Sequence, residues 1–273
     1  MFFYKLPAGK HMSFHRIRAI LLHDYFVMKH SFEVFNDLLL YPMWSIIVFG
    51  FMTVYIAGTT GQVIASQVLL GMILWQIVNI TQYSIAVGCL WDVWSRNLTN
   101  IFITPITNLE YLLTYAAAGA AKSFFVIIVA SIMSYFVFNF NMLSLGLSAL
   151  FWITINLTFF GFSFGVIVLG LIFRFGTKIQ AFAWGLITVF QPLMAVIYPV
   201  SVIPEPFRAV SLVFPPTYVF EAARKIVAGD HNVPADVFIA FALNVAFCAA
   251  SMVFFNLMFA KSKETGQFAR LEG

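Results

Sequence analysis

The sequence predicts an all-α polytopic membrane protein with six transmembrane helices, an N-terminal interfacial helix, a short cytoplasmic helix and a re-entrant helical hairpin on the outer side before the last span. Three observations carry that reading. Hydrophobic residues fill 62% of the 273 positions and charged residues only 10%, whereas a soluble domain averages about 25% charged. The apolar residues fall in runs of roughly 20, the length a helix needs to cross the hydrocarbon core. Those runs lack the alternation, in segments of about ten residues, that marks a membrane β-strand.

The chain begins with a short basic tail over residues 1–12. From Ser13 to His30, Phe14, Ile17, Ile20, Leu21 and Tyr25 mark one helix face, while His15, Arg16, Arg18, His23, Asp24 and Lys29 cover the rest. The segment is too charged to span, so it reads as a helix in the interface plane, with Ser13 as N-cap. Four of the five histidines lie at its ends or within it. Their spacing matches no helical metal pair, and no metal site is expected. No compact apolar core with a cleavage site precedes this helix, so no signal peptide is expected.

Six apolar runs follow, at 35–57, 63–87, 109–137, 145–173, 179–199 and 237–260. Pro42 sits early in the first, where it costs little or bends the chain. With both ends in the cytoplasm, Lys5, Lys10, Arg16, Arg18, Lys29, Arg96, Arg174, Lys178, Lys261, Lys263 and Arg270 fall inside, and the two short outer loops hold no basic residue. This matches the positive-inside rule. The net charge of +4 is therefore a topology signal, not a nucleic-acid footprint. Cys89 and Cys248 lie in or beside apolar runs and read as small hydrophobes, not a disulfide pair.

The stretch 91–105 interrupts two spans with more polar chemistry than a connector needs. Trp91, Trp94, Leu98 and Phe102 recur at steps of three and four, the period of one helix face. Arg96, Asn97, Thr99 and Asn100 occupy the remainder, and Pro105 stops the helix. Thr107 and Glu110 then form the signature of a capping box that opens the third span. The segment 91–105 reads either as an interfacial helix anchored by two tryptophans or as a surface built to receive another protein.

Residues 200–229 form the second informative stretch. Pro199, Pro204 and Pro206 break the fifth span, and residues 207–214 are too short to cross. Pro215 and Pro216 break the chain again. A helix follows from Thr217 through Tyr218 to Ala228, with Glu221 early, Arg224 and Lys225 late and Gly229 as its stop, an order that suits the helix dipole. Two short helices divided by prolines predict a re-entrant hairpin, or else a cap over the outer helix ends.

Lys122 is the one basic residue deep in a span. It either snorkels to the headgroups or attracts an anionic substrate group. Asn79, Gln82 and Gln191 lie at membrane depth, where they bond between helices or line a pathway.

Taken together, the order of these parts resembles the permease subunit of ABC transporters of the ABC-2, or type V exporter, class, in the group that exports polysaccharides, lipids or drugs. The resemblance covers essentially the whole chain. It rests on the run Asn97 to Leu112 around Pro105 and on Ile203-Pro204 followed by Phe214-Pro215-Pro216-Thr217-Tyr218. Many members carry Asn-Pro-Leu-Thr-Tyr where this chain has Phe-Pro-Pro-Thr-Tyr. The resemblance implies that 91–105 is the coupling helix, with Trp91 and Trp94 as anchors and Arg96, Asn97, Asn100, Phe102 and Thr104 meeting an ATPase groove. It implies a separate ABC ATPase chain that carries ATP and magnesium, and a second permease copy in a homodimer. It also implies residence among the lipids of a bacterial cytoplasmic (inner) membrane. The chain itself has no phosphate-binding G-x-x-x-x-G-K-[ST] loop, so no cofactor and no catalytic residue is expected in it. The competing reading is an ion-coupled secondary transporter without an ATPase. It is weakened by the scarcity of intramembrane carboxylates and by the lack of two inverted halves. A lipid-modifying enzyme ranks last, because no cluster of catalytic spacing is present.

Overall fold

Residues 12–230 and 233–266 are described in a computed structural model. Residues 1–11 of the expected basic tail (1–12) and the last residues, 267–273, lie outside the described residues. Every regular element among those described is helical. The elements are α1 (Phe14–His30), α2 (Phe32–Phe35), α3 (Tyr41–Thr60), α4 (Gln62–Trp94), α5 (Leu98–Ile103), α6 (Asn108–Phe138), α7 (Leu147–Phe175), α8 (Phe182–Phe190), α9 (Phe207–Ser211), α10 (Pro215–Val227) and α11 (Pro234–Glu264).

Among the described residues, 5 helical stretches are long and apolar enough to cross a membrane: Phe32–Thr59, α4, α6, Leu147–Ile179 and α11. The first is continuous through a π turn at Asn36–Leu40. Pro42 follows at the start of α3. It has no N–H for the carbonyl of Leu38, so the α register is interrupted where that bond is missing anyway.

The expected fifth span, 179–199, is a correction. Its apolar helix covers only Phe182–Met194, about 20 Å at the α-helical rise and short of the roughly 30 Å hydrocarbon core. Pro192 is the cause. It cannot donate in the helical ladder, so α8 ends at Phe190 and a tighter 3-10 turn carries Gln191–Met194. Ala195 then adopts a left-handed conformation with φ 53°, and the chain leaves the helix there.

The molecule is built around α4. Nearly every side chain from Val68 to Val93 is buried, and α3, α6, α7, α8 and α10 all pack against it. Gly161 of α7 lets backbones approach closely: a Cβ there would lie 2.9 Å from the carbonyl oxygen of Val78. α7 and α11 run side by side in the same direction. Asn244 donates to the backbone carbonyl (3.0 Å) and side-chain oxygen (3.1 Å) of Asn156. Nearer their ends Ser262 donates to the carbonyl of Phe173 at 2.5 Å. These bonds satisfy polar groups where lipid offers none.

Helix α1 differs from the expected flat interfacial helix. Ser13 makes no side-chain cap; its backbone N–H donates instead to Glu110 at 2.7 Å. Arg16 also meets Glu110, and Asp24 meets Lys122. Those two contacts lie about 18 Å apart along α6, so α1 climbs beside that helix.

Candidate functional site

The region expected to form one coupling helix over 91–105 is divided. Trp91 and Trp94 belong to the last turn of α4, which continues past its expected end at Val87. Gly88 does not break the helix there, where the Tyr115 ring packs against it, and the one acid, Asp92, is fully buried. Its Oδ2 accepts hydrogen bonds from Tyr111 and Tyr115, both at 2.7 Å, and His23 Nδ1 lies 3.6 Å from Oδ1. α4 then closes with the N–H of Asn97 on the carbonyl of Asp92 (2.9 Å) and that of Arg96 on Val93 (3.0 Å). This is a Schellman turn in which Arg96, at φ 56°, holds the left-handed position glycine usually takes.

The separate helix α5 has two faces. Leu98 is buried and Phe102 packs inward on Tyr111, Phe259 and Phe173, with ring centroids 5.2, 5.7 and 6.4 Å away. Phe102 is half-buried and turns its ring inward, anchoring α5 to the helix ends. Arg96, Thr99, Asn100, Ile103, Thr104 and Pro105 are exposed, and Asn97 is half-buried. The exposed face is polar with one large apolar residue, Ile103, which is 63% exposed. Trp94 packs toward α8. Its indole donates to Gln180 at 3.3 Å, stacks on Trp184 at 6.0 Å and meets Trp91 edge-on at 5.4 Å.

Directly after this face comes a polar hub that ties α1 to α6. The capping box forms as expected: Glu110 N donates to Thr107 Oγ1 at 3.2 Å, and Thr107 N donates to Glu110 Oε2 at 2.8 Å. Glu110 does more than cap. Its Oε1 accepts from Arg16 Nε at 2.9 Å and from the Arg16 terminal nitrogen at 2.6 Å. Arg16 and Glu110 were each visible in the sequence, but nothing there pairs residues 94 positions apart.

Lys122 has a partner as well. Its Nζ lies 2.8–2.9 Å from both Asp24 oxygens, with both side chains 11% exposed. It is an ion-paired lysine under α1 and not a free cation facing lipid. Of the other polar residues at depth, Gln82 donates to the carbonyl of Ala183 at 3.0 Å, and Gln191 reaches Met72 Sδ at 3.7 Å. Asn79 lines a cleft with Asp37, Tyr83 and Trp184. The sequence reading missed Asp37 and Trp184. A lone acid at the start of an apolar run was the available signal.

The stretch 200–229 holds α9 and α10, and it folds back among the long helices. Phe214, just before α10, contacts Phe160 at 6.4 Å and Phe247 at 6.3 Å. Each of those lies thirteen residues into its helix, about 20 Å from the end. Pro215 and Pro216 occupy the first turn of α10, where a missing N–H costs nothing. Thr217 donates to the carbonyl of Ser211 at 2.7 Å and Tyr218 to that of Leu212 at 3.0 Å. Glu221 accepts from Val200 N at 2.6 Å and pairs with Arg224 at 2.9 Å. Arg224 donates onward to the carbonyl of Val196 at 3.4 Å. Pro199, Pro204 and Pro206 lie in the irregular chain between that carbonyl and α9. Lys225 bonds Asp236 at 2.6 Å, which holds its pKa above the ordinary lysine value. The gap at Gly71 shows how tightly this segment packs: a Cβ there would lie 2.0 Å from the carbonyl oxygen of Val196.

A bundle of long apolar helices, a short helix with a polar exposed face, and a proline-rich hairpin packed between helices define a multi-pass membrane protein. Residues 27–228 match the family described as ABC-2 type transporter. The chain belongs to that family: it is the membrane transport subunit of an ABC transporter, a class that works with an ABC ATPase. No curated protein matches the sequence significantly.

Proposed function

We propose that this chain is the permease of an ATP-driven exporter in which two copies of it pair with two separate ATPase subunits. The pathway carries an amphipathic substrate: a lipid-linked glycan, a lipid or a hydrophobic drug. The observation that carries the coupling part of this reading is the exposed polar face of α5, placed in the chain just before the Glu110 hub. Leu98 and Phe102 lock α5 into the helix ends, while Arg96, Asn100, Thr104 and Pro105 stand free to be gripped.

A push on α5 would reach α6 through the short link Thr104–Thr107, because Thr107 caps α6 and Glu110 holds α1. It would reach α4 through the turn at Arg96. The hairpin, inserted from the outer side, would close the pathway opposite the ATPases. ATP and magnesium would be bound by the partner chain alone. Both termini would be cytoplasmic, in a bacterial inner membrane.

The test is gentle solubilisation from native membranes followed by native mass measurement. The expected species contains two copies of this chain and two copies of a soluble ATPase. Arg96→Glu combined with Asn97→Asp should release the ATPase and leave the permease pair intact. Recovery of this chain free of any ATPase across several mild detergents would overturn the reading in favour of a secondary carrier.

A further inference from the structure

The carboxylates buried or half-buried among the helices are matched within the chain. Glu110 has Arg16, Asp24 has Lys122, Glu221 has Arg224 and Asp236 has Lys225. Asp92 is fully enclosed, with two tyrosines donating to one oxygen and His23 Nδ1 3.6 Å from the other. Asp37 differs: among the described residues it makes no ion pair. Its Oδ2 accepts from Tyr83 Oη at 2.9 Å and from Trp184 Nε1 at 3.3 Å, and its Oδ1 from Asn36 at 3.2 Å. All three donors are neutral. They fix the carboxylate in place without cancelling its charge.

That carboxylate lines a cleft of about 610 Å³ between the first membrane helix, α4 and α8, shared with Tyr41, Asn79, Tyr83, Trp184 and Thr188. No basic side chain lines it. Tyr83 lies eleven residues from the end of α4, about 16 Å along the helix axis. The π turn at Asn36–Leu40 carries Asp37 into the cleft, and such turns recur at functional sites. Tyr41 and Thr188 are exposed at the mouth, so the cleft is open on that side. A larger groove of about 1090 Å³ between α6 and α7 has no charged side chain and no such selectivity.

We propose that the Asp37 cleft binds the cationic group of an amphiphile, with the carboxylate as counter-charge and the rings of Trp184, Tyr83 and Tyr41 as cation–π and apolar walls. A half-buried carboxylate near the start of a membrane helix, with no ion-pair partner among the described residues, offers a cation a fixed counter-charge, and aromatic walls favour organic ammonium and phosphonium groups over hydrated metal ions. The cleft deepens the exporter reading by naming the charge class of its substrate. It rests on that reading only for the statement that the bound cation is cargo.

The test uses the full chain, purified in a neutral maltoside detergent, and radiolabelled tetraphenylphosphonium as the probe. Saturable binding is expected, weakened at least tenfold in Asp37→Asn and severalfold in Trp184→Phe. Tyr83→Phe removes a neutral donor and keeps the charge and the ring, so it should bind the probe more tightly than the wild type, and weaker binding would count against the carboxylate as counter-charge. Triphenylphosphine oxide, similar in shape and neutral, should not compete. If Asp37→Asn does not elute as a folded protein, this competition and Tyr83→Phe still decide the matter.

Repeating the assay in nanodiscs separates two sources of cation. Competition by phosphatidylethanolamine over phosphatidylglycerol assigns the site to a lipid headgroup, and no competition assigns it to a free amphiphile; either supports a cation site. Equal binding in Asp37→Asn, effective competition by the neutral oxide or by an alkyl glucoside, or a Thr188→Cys thiol shielded by a second copy overturns the proposal. The assay needs no ATPase. Cation binding without a recoverable ATPase would therefore refute the exporter reading alone, and an ATPase complex without cation binding would refute this inference alone.

Discussion

The indole of Trp94 stacks on that of Trp184 with centroids 6.0 Å apart and planes 16° from parallel. One ring ends α4, four residues before α5 begins; the other belongs to α8 and bonds Asp37. A movement of the α4 terminus would reach α8 through this stack. Trp91, edge-on to Trp94 at 5.4 Å, fixes the ring from the other side.

Replacing Trp184 with leucine should therefore separate coupling from assembly. An aromatic pair contributes about 1 kcal/mol beyond its buried area, roughly fivefold in an equilibrium. Substrate-stimulated ATPase activity of the reconstituted complex should fall about fivefold while the amount of ATPase recovered with the permease is unchanged. Loss of the ATPase itself from the variant would show that the stack serves assembly.

Glu110 and Arg16 should not be equivalent under substitution. Arg16→Ala leaves the carboxylate three neutral donors: Ser13 N, Thr107 N and Thr107 Oγ1. Glu110→Ala removes the buried partner of Arg16 and the reciprocal bond of the capping box together. Breaking a buried pair costs about 3 kcal/mol and a cap about 1 kcal/mol. Thermal unfolding in detergent should show Glu110→Ala as the less stable variant by about 1 kcal/mol. Equal loss in both would mean that the carboxylate acts through Arg16 alone.

Much of this architecture was legible because long apolar runs can do little but cross, and the helices 108–138, 147–175 and 234–264 end within three or four residues of their expected bounds. The capping box of Thr107 and Glu110 was legible for the same reason: both partners lie within four residues. Legibility failed where distant residues decide. Asp92, inside the stretch read as one polar interruption, is buried, because Tyr111 and Tyr115 come round from α6 to bond it. Pro192 looked like one more residue of a span, yet its missing donor ends α8. The inward turn of the Phe102 ring had no local sign, since the sequence cannot say that Phe173 and Phe259 wait behind it. Asp37 and Trp184, separated by 147 positions, had no local sign of meeting.

Gly71 offers a direct check on the packing of the fifth segment. The carbonyl of Val196 occupies the place of its missing side chain, and backbone is the least able group to give way. Gly71→Ala should push residues 195–197 away from α4 and strain the bond from Arg224 to Val196. Overpacking of this kind costs about 2 kcal/mol. A lowered unfolding midpoint is expected, with recovery of ATPase binding intact at the far end of α4. An unchanged midpoint would show that the segment from α8 to α9 is free to shift.

Arg96 separates stability from recognition most cleanly. Its φ of 56° is a conformation in which a Cβ is crowded, at a cost of about 1 kcal/mol that glycine escapes. The backbone of Arg96 closes α4, whereas its side chain is exposed. Arg96→Gly should therefore raise the unfolding midpoint slightly while removing a positive charge from the face offered to the ATPase. Arg96→Ala removes the same charge and keeps the crowded Cβ. If the charge is what the partner reads, both variants should lose ATPase binding to the same extent, with a steeper loss in Arg96→Glu and a weaker effect for all three at high salt, where exposed charges are screened. If the backbone turn is what matters, Arg96→Gly should bind as well as the wild type or better. Comparing ATPase recovery with unfolding midpoint across the three variants decides between these.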